Sequence, residues 1–203
     1  MSSLRWALLA FVAALSVPAF ATDAVAVVVA RIEQPDLLRG QFEQRKQIAG
    51  FRKPLRSHGR FVLVRGLGVI WRTEQPFPSQ LTMTERRLRV TSDAGARAMD
   101  AANEPALRAI NRIFFDLLTG HIEGLRDGFD MQVVRADEHG WNLRLTPKDG
   151  LVAQAFTSID LEGGRRITRI VLTEVNGDLS DIRFGALAIS PSLDDQERAE
   201  LAD

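Results

Sequence analysis

The sequence predicts a mainly β fold with α elements, an antiparallel sheet of about ten strands curled around its own apolar face. Three observations predict it. Apolar and polar residues alternate in one short segment after another. The segments are joined mostly by short turns, which favours antiparallel neighbours. One face of nearly every segment is apolar while the other carries Arg, Asp, Thr or Gln, unlike a parallel sheet buried on both sides. Periodicity alone leaves a sandwich and a curled barrel both open.

Taken in order, residues 1–21 read as an address. Arg5 gives a basic start, residues 6–17 are apolar except for Ser16, Pro18 ends the run, and Ala19-Phe20-Ala21 is a small-x-small cleavage site. The apolar run is too short for a membrane span, which needs ~20 residues. The mature protein is then residues 22–203, one domain, working outside the cytoplasm; in a Gram-negative cell that is the periplasm. Residues 22–34 fit a helix capped by Thr22 or Asp23, although Val25, Val27, Val28 and Val29 suit a strand equally.

Strands are expected over 38–46, then around Phe61 and Leu63, Val69 and Trp71, Leu81 and Met83, and Leu88 and Val90. Residues 103–119 break the pattern. Asn103 is a possible N-cap, Pro105 lies in the first turn and Gly120 follows the end. Leu107, Ile110, Phe114, Leu117 and Leu118 fall on one stripe, widened by Ile113 and Phe115. This helix either completes the core or lies as a lid over an apolar hollow. Alternation resumes at Phe129, Met131 and Val133, and again at Trp141, Leu143 and Leu145. Longer runs cover 153–162 and 166–175, and Asn176-Gly177 marks a hairpin into 178–187. A short terminal helix is expected over 192–201, with Asp194 and Asp195 in its first turn.

Composition narrows the function. The 203 residues carry 26 basic and 26 acidic side chains, which argues against a general nucleic-acid binder. There is no cysteine, hence no disulfide, no thiolate metal site and no cysteine-linked lipid. No Gly-x-Ser-x-Gly elbow or phosphate-binding glycine loop is present. His58, His121 and His139 are isolated and read as solvated turn residues. Ser57 and His58 are adjacent, so on a strand they point to opposite faces and make a poor nucleophile–base pair. Carboxylates cluster only near Asp137-Glu138 and in the tail after Ser190, where solvation explains them. No catalytic residue, metal site or cofactor is expected. The basic stretch over 52–60 reads as a solvated loop or as a contact for an anionic headgroup or an acidic partner.

The ordered motifs are more specific. Leu38-Arg39-Gly40-Gln41-Phe42-Glu43-Gln44 is followed by Ser57-His58-Gly59-Arg60-Phe61-Val62-Leu63-Val64-Arg65, then by Val69-Ile70-Trp71-Arg72-Thr73-Glu74-Gln75-Pro76. Together with Leu145-Thr146-Pro147-Lys148 and the long strand pair ending near Ala188, these resemble the LolA-type periplasmic lipoprotein carriers over most of residues 24–203. Gly66 stands where that family usually has proline, Val69 where it has an aromatic residue, and Glu85-Arg86-Arg87 where it has Asp-Gly. The chain thus resembles a divergent branch.

The resemblance implies an incompletely closed antiparallel β-barrel, with helix 103–119 as a lid over an apolar cavity. The cavity would be lined by Phe61, Leu63, Val69, Trp71, Leu81, Met83, Phe129, Met131, Trp141 and Leu143. It implies that Arg65 latches the lid by hydrogen bonds. The implied function is a monomeric periplasmic carrier that shields the acyl chains of a lipoprotein, lipid or glycolipid. Cargo would come from an inner-membrane exporter and go to an outer-membrane receptor. A sixteen-carbon chain costs about 12 kcal/mol to expose to water, so it needs such a shield. The competing expectations are an enzyme of envelope lipid or glycan metabolism on a curled sheet, and a purely structural domain. N-terminal sequencing of exported protein is expected to begin at or near Thr22; recovery in the membrane fraction with Met1 intact would contradict the cleaved leader.

Overall fold

The computed structural model describes residues 23–84, 86–93, 95–100, 105–148 and 150–202, with the backbone alone for 98–100 and 105–111. The expected leader, residues 1–21, lies outside the described residues. The chain runs through α1 (Ala24–Val29), β1 (Leu37–Gln47), β2 (Leu55–Val64), β3 (Gly68–Gln75), β4 (Ser79–Thr84), β5 (Arg87–Ser92), β6 (Gly95–Asp100) and α2 (Pro105–Thr119). After a 3-10 turn (Ile122–Leu125) come β7 (Phe129–Asp137), β8 (Gly140–Pro147), α3 (Gly150–Ala155), β9 (Phe156–Gly163), β10 (Ile167–Glu174), β11 (Leu179–Ile189) and α4 (Asp195–Leu201).

The strands form a single antiparallel sheet of eleven, in the order β6-β5-β4-β3-β2-β1-β11-β10-β9-β8-β7. β6 and β7, neighbours along the chain, occupy opposite edges and do not pair with each other. The barrel is therefore incompletely closed. α2 connects the two edges and covers the concave face, as a lid helix.

Alternation sends Phe61, Leu63, Val69 and Met83 to the concave face in one apolar cluster, joined by Trp71, Leu81, Phe115 and Leu187. Trp141, Leu143, Leu145, Ile159, Leu161 and Leu172 form a second cluster with Val25 and Val28 of α1 and Leu117 of α2. Phe114 and Leu118 of α2 and Phe184 of β11 pack against both clusters. α2 ends in a well-formed C-cap: Gly120 adopts φ +74, its N–H donates to the Leu117 carbonyl, and the His121 N–H donates to the Asp116 carbonyl at 2.9 Å.

The outer face is covered at one end. Leu37, Val62 and Ile70 are buried under Leu201 of α4, with Leu193 alongside. α4 starts with a capping box between Asp194 and Glu197. Arg39 of β1 pairs with Glu197, whose side chain is buried, and Arg72 of β3 pairs with Glu200 at 2.7 Å. Two of the tail carboxylates, Glu197 and Glu200, are thus structural ties rather than solvated charges. Elsewhere the outer face is ionic: Arg169 of β10 donates to Asp181 of β11 at 2.8 Å and to Glu162 of β9 at 2.8 Å, and Arg144 of β8 to Asp160 at 2.7 Å.

Several elements differ from expectation. The eleventh strand is β6, Gly-Ala-Arg-Ala-Met-Asp, whose small residues carry little alternation. The first helix spans only Ala24–Val29, because β-branched residues extend a helix poorly. The run over 153–162 divides into α3 and β9; Gly150 with φ +77 turns the chain, and Leu-Val-Ala-Gln-Ala then forms one helical stretch. Gly59 is a steric requirement, since a Cβ there would meet the Arg72 carbonyl oxygen at 1.9 Å.

The Arg169 guanidinium holds the Asp181 carboxyl below the usual carboxylate range, against the opposing effect of burial. A carboxyl depressed in the folded state contributes stability above its unfolded value, ~3.9, and loses it as pH falls through the folded value. Urea denaturation at pH 7 and pH 3 is expected to show Asp181→Asn destabilised at pH 7 and less sensitive than wild type to the drop in pH. An identical pH dependence would remove Asp181 from the acid response.

Candidate functional site

The candidate site is the concave face beneath α2. All ten expected lining residues point into it or into its edges. Leu63, Trp141 and Leu143 are 0% exposed, and Phe61, Val69, Met83 and Phe129 are also buried. Trp71, Leu81 and Met131 are half-buried. Among the described residues these side chains pack against one another and against Phe114, Phe115, Leu117 and Leu118 of α2. Among the described residues, small apolar hollows lie beneath α2, two of them of ≈ 10 Å³. One lies between α2 and α3, lined by Ile113, Phe114, Val152, Phe156 and Ile159. The other lies under Leu117 and Leu118 against Leu38, Phe61 and Phe184.

Of the lid stripe, Phe114, Leu117 and Leu118 face the sheet, with Leu117 buried and the other two half-buried. The side chains of Leu107 and Ile110 lie outside the described residues. The lid's C-terminal end is fixed further by the Asp116 carboxylate, which meets His121 Nδ1 at 3.0 Å, and by the Thr119 hydroxyl, which donates to the Phe115 carbonyl at 2.8 Å. Gln34 Nε2 donates to the Gly120 carbonyl at 3.4 Å.

Two aromatic residues central to the site were absent from the expected lining. Phe42 stacks on Trp71 with ring centroids 3.8 Å apart. Phe184 meets Phe61 and Trp71 edge-on at 5.5 and 6.1 Å. The signals existed in sequence: Phe42 opens the Phe-x-Gln motif, and Phe184 shares a strand face with Ile182. Trp141 satisfies its indole N–H by donating to the Gly164 carbonyl at 2.7 Å, so it can sit fully buried.

Among the described residues, the partner of Arg65 is Asp36 and none lies on α2. β2 ends at Val64, so strand alternation no longer directs the next side chain. Arg65 lies in the turn, and its guanidinium bonds Asp36 (Nε to Oδ1, 3.0 Å), while its N–H donates to the Asp36 carbonyl at 2.9 Å. The pair fastens the β2–β3 turn to the segment entering β1. Among the described residues no three His, Asp or Glu side chains gather to hold a metal ion. His58 and Ser57 diverge on β2, as alternation requires.

Because the Arg65 side chain is 45% exposed and that of Asp36 87%, the pair is solvent-screened. Arg65→Leu is expected to change stability by less than ~1 kcal/mol and to leave uptake of a fluorescent fatty acid unchanged. Denaturant titration and a binding titration check this; a large change in uptake would restore the latch.

The fold and site can be compared with known proteins. A solved DUF1329 family protein from Desulfovibrio piger shares the fold at TM-score 0.51 and 11% identity, over 88% of this chain and 96% of that one. A LolA superfamily protein from Nitrosomonas europaea aligns at TM-score 0.48 and 12% identity, over 83% of this chain and 92% of that one. The MucA/MucB complex structure from Pseudomonas aeruginosa aligns at TM-score 0.47 and 15% identity, over 88% of this chain and 61% of that one. No curated protein matches the chain. The sequence profile described as "Outer membrane lipoprotein carrier protein LolA" matches residues 34–197. The chain, with its open antiparallel barrel and lid helix, belongs to the LolA family.

Proposed function

We propose that the protein is a periplasmic carrier that shields the acyl chains of a lipoprotein, lipid or glycolipid beneath α2 and ferries them toward the outer membrane. The observation that carries this reading is that a single helix covers both apolar clusters. Phe114 and Leu118 touch each half of the barrel, and hollows remain at the seam. An acyl chain needs more room than either of these hollows offers, so on this reading α2 moves on loading. The capped C-terminal end, held through Asp116, Gly120 and His121, serves as the pivot.

Membership of a carrier family supports the same reading. On it, residues 1–21 direct export, and residues 22–203 act as one monomeric domain between an inner-membrane exporter and an outer-membrane receptor. The ten lining residues then form the cavity wall, and Leu107, Ile110, Phe114, Leu117 and Leu118 form the lid face. Phe42 and Phe184 are added to the wall.

Extraction of the purified protein followed by mass spectrometry is expected to release acylated molecules. The emptied protein is expected to bind a fluorescent fatty acid at one or a few sites. Phe114→Ser on the lid should weaken that binding at least tenfold. Val134→Ser, at a position 55% exposed, should leave it unchanged. Absence of both extracted lipid and probe binding would overturn the carrier reading.

A further inference from the structure

One end of the barrel carries apolar and basic side chains that neither the core nor the lid uses. The turns β1–β2, β3–β4 and β10–β11 all lie at this end, as the antiparallel register requires. Phe51 in the β1–β2 turn is 66% exposed, and Leu55, the first residue of β2, is 60% exposed. Phe77 in the β3–β4 turn is 81% exposed on the same rim. Arg52, Lys53 and Arg56 are interleaved with Phe51 and Leu55 and are exposed too. Among the described residues, no carboxylate lies within ion-pair distance of these three cations. Arg56 stands opposite Arg45 in the β1–β2 ladder, and Arg45 in turn stands opposite Asp181 of β11, so Arg56 is the outermost cation of that row.

The two acids that flank the β10–β11 turn are already engaged. Asp178 is buried, accepts from the Ala49 N–H at 2.9 Å and lies 3.5 Å from Lys46 Nζ. Glu174 pairs with the same Lys46 at 2.8 Å. Those bonds also hold the β1–β2 turn in place, as does Gln47, whose side chain donates to the carbonyls of Ile48 and Phe51. Phe51 is presented outward by a fastened turn.

We infer that this rim docks the protein on an anionic phospholipid surface, with Phe51 and Leu55 entering the headgroup boundary and Arg52, Lys53 and Arg56 contacting phosphates. Apolar side chains interleaved with basic ones, at the tip of an otherwise water-facing element, are what such an interface binds. The inference deepens the carrier reading through position. The Val175 N–H donates to the Ala155 carbonyl, so the β10–β11 turn joins the docking rim to the end of α3. α3 and β9 border the hollow under α2 through Val152 and Phe156. Docking would turn that seam toward the lipid.

The test is flotation of purified exported protein with vesicles of phosphatidylglycerol and phosphatidylcholine, against phosphatidylcholine alone. The wild type is expected to float with the anionic vesicles at low salt and to be released by 0.5 M salt. Each basic residue near such a surface is worth about a fivefold change in partitioning, so Arg52→Glu with Lys53→Glu should reduce binding at least tenfold. Phe51→Ser should reduce it several-fold. Both variants replace exposed groups, and circular dichroism confirms their fold. Equal flotation of variants and wild type, equal binding to neutral vesicles, or binding to an acidic polypeptide such as polyglutamate without binding to vesicles would each overturn the inference. Fatty-acid binding by the same samples separates the two readings: uptake without flotation removes docking and keeps the carrier, and flotation without uptake does the reverse.

Discussion

An apolar concave face on a sheet that does not close has to be covered, and here one helix covers it. β6 and β7 end at opposite edges, so the chain must pass from one to the other. By crossing the concave side as α2, the connection buries two clusters that the sheet alone would leave wet. The other features of the site follow from this. The underside of α2 has to be broadly apolar to meet both halves. The seam between the halves has to be filled by side chains that face both ways, as Phe114, Leu118 and Phe184 do. Small hollows persist where one helix cannot match a curved surface everywhere.

The opposite face shows how the frame is held. At one end of β1, β2 and β3 the sheet is buried on both sides, since Leu201 of α4 closes over Leu37, Val62 and Ile70. Arg39–Glu197 and Arg72–Glu200 fix α4 in register, and desolvated, hydrogen-bonded pairs of this kind specify geometry more than they add stability. Further round the barrel the outer face is held by Arg169, Asp181 and Glu162 across three strands. The frame is thus stiffened by directional contacts on its outside, and its inside is left to non-directional ones.

Most of this was legible in the sequence because alternation states which face each strand buries. Phe61, Leu63, Trp141 and Leu143 could be assigned to the concave face from period alone, and the helix over 103–119 from its stripe and from Gly120. The parts that were not legible share a cause: they depend on which distant segment covers a face. Val62 and Ile70 read as the outward half of an alternating strand, and nothing local reveals that α4 makes them core. Glu197 and Glu200 read as solvated until Arg39 and Arg72 are brought to them by the fold. Arg65 could be placed by motif, but its partner depends on where β2 stops. β6 carries its pairing in the backbone, with small side chains that leave no pattern.

Among the described residues no ion pair joins α2 to the concave face of the sheet, and this bears on how a carrier of this build would work. Phe114, Leu117 and Leu118 hold the lid through apolar contact, while the polar bonds around Asp116, Thr119 and His121 secure only its end. Apolar contact is proportional to area and indifferent to partner, so on the proposed reading an acyl chain would replace the lid against Phe61, Trp71 and Phe184 with little net change in buried surface. A salt bridge or a strong hydrogen bond across the seam would add a fixed penalty to every loading step and favour the empty form. Exchange of one apolar cover for another keeps loaded and empty states close in free energy. A carrier that must both take up its cargo and give it up needs that balance, because a ligand shifts an equilibrium only by its differential affinity for the two states.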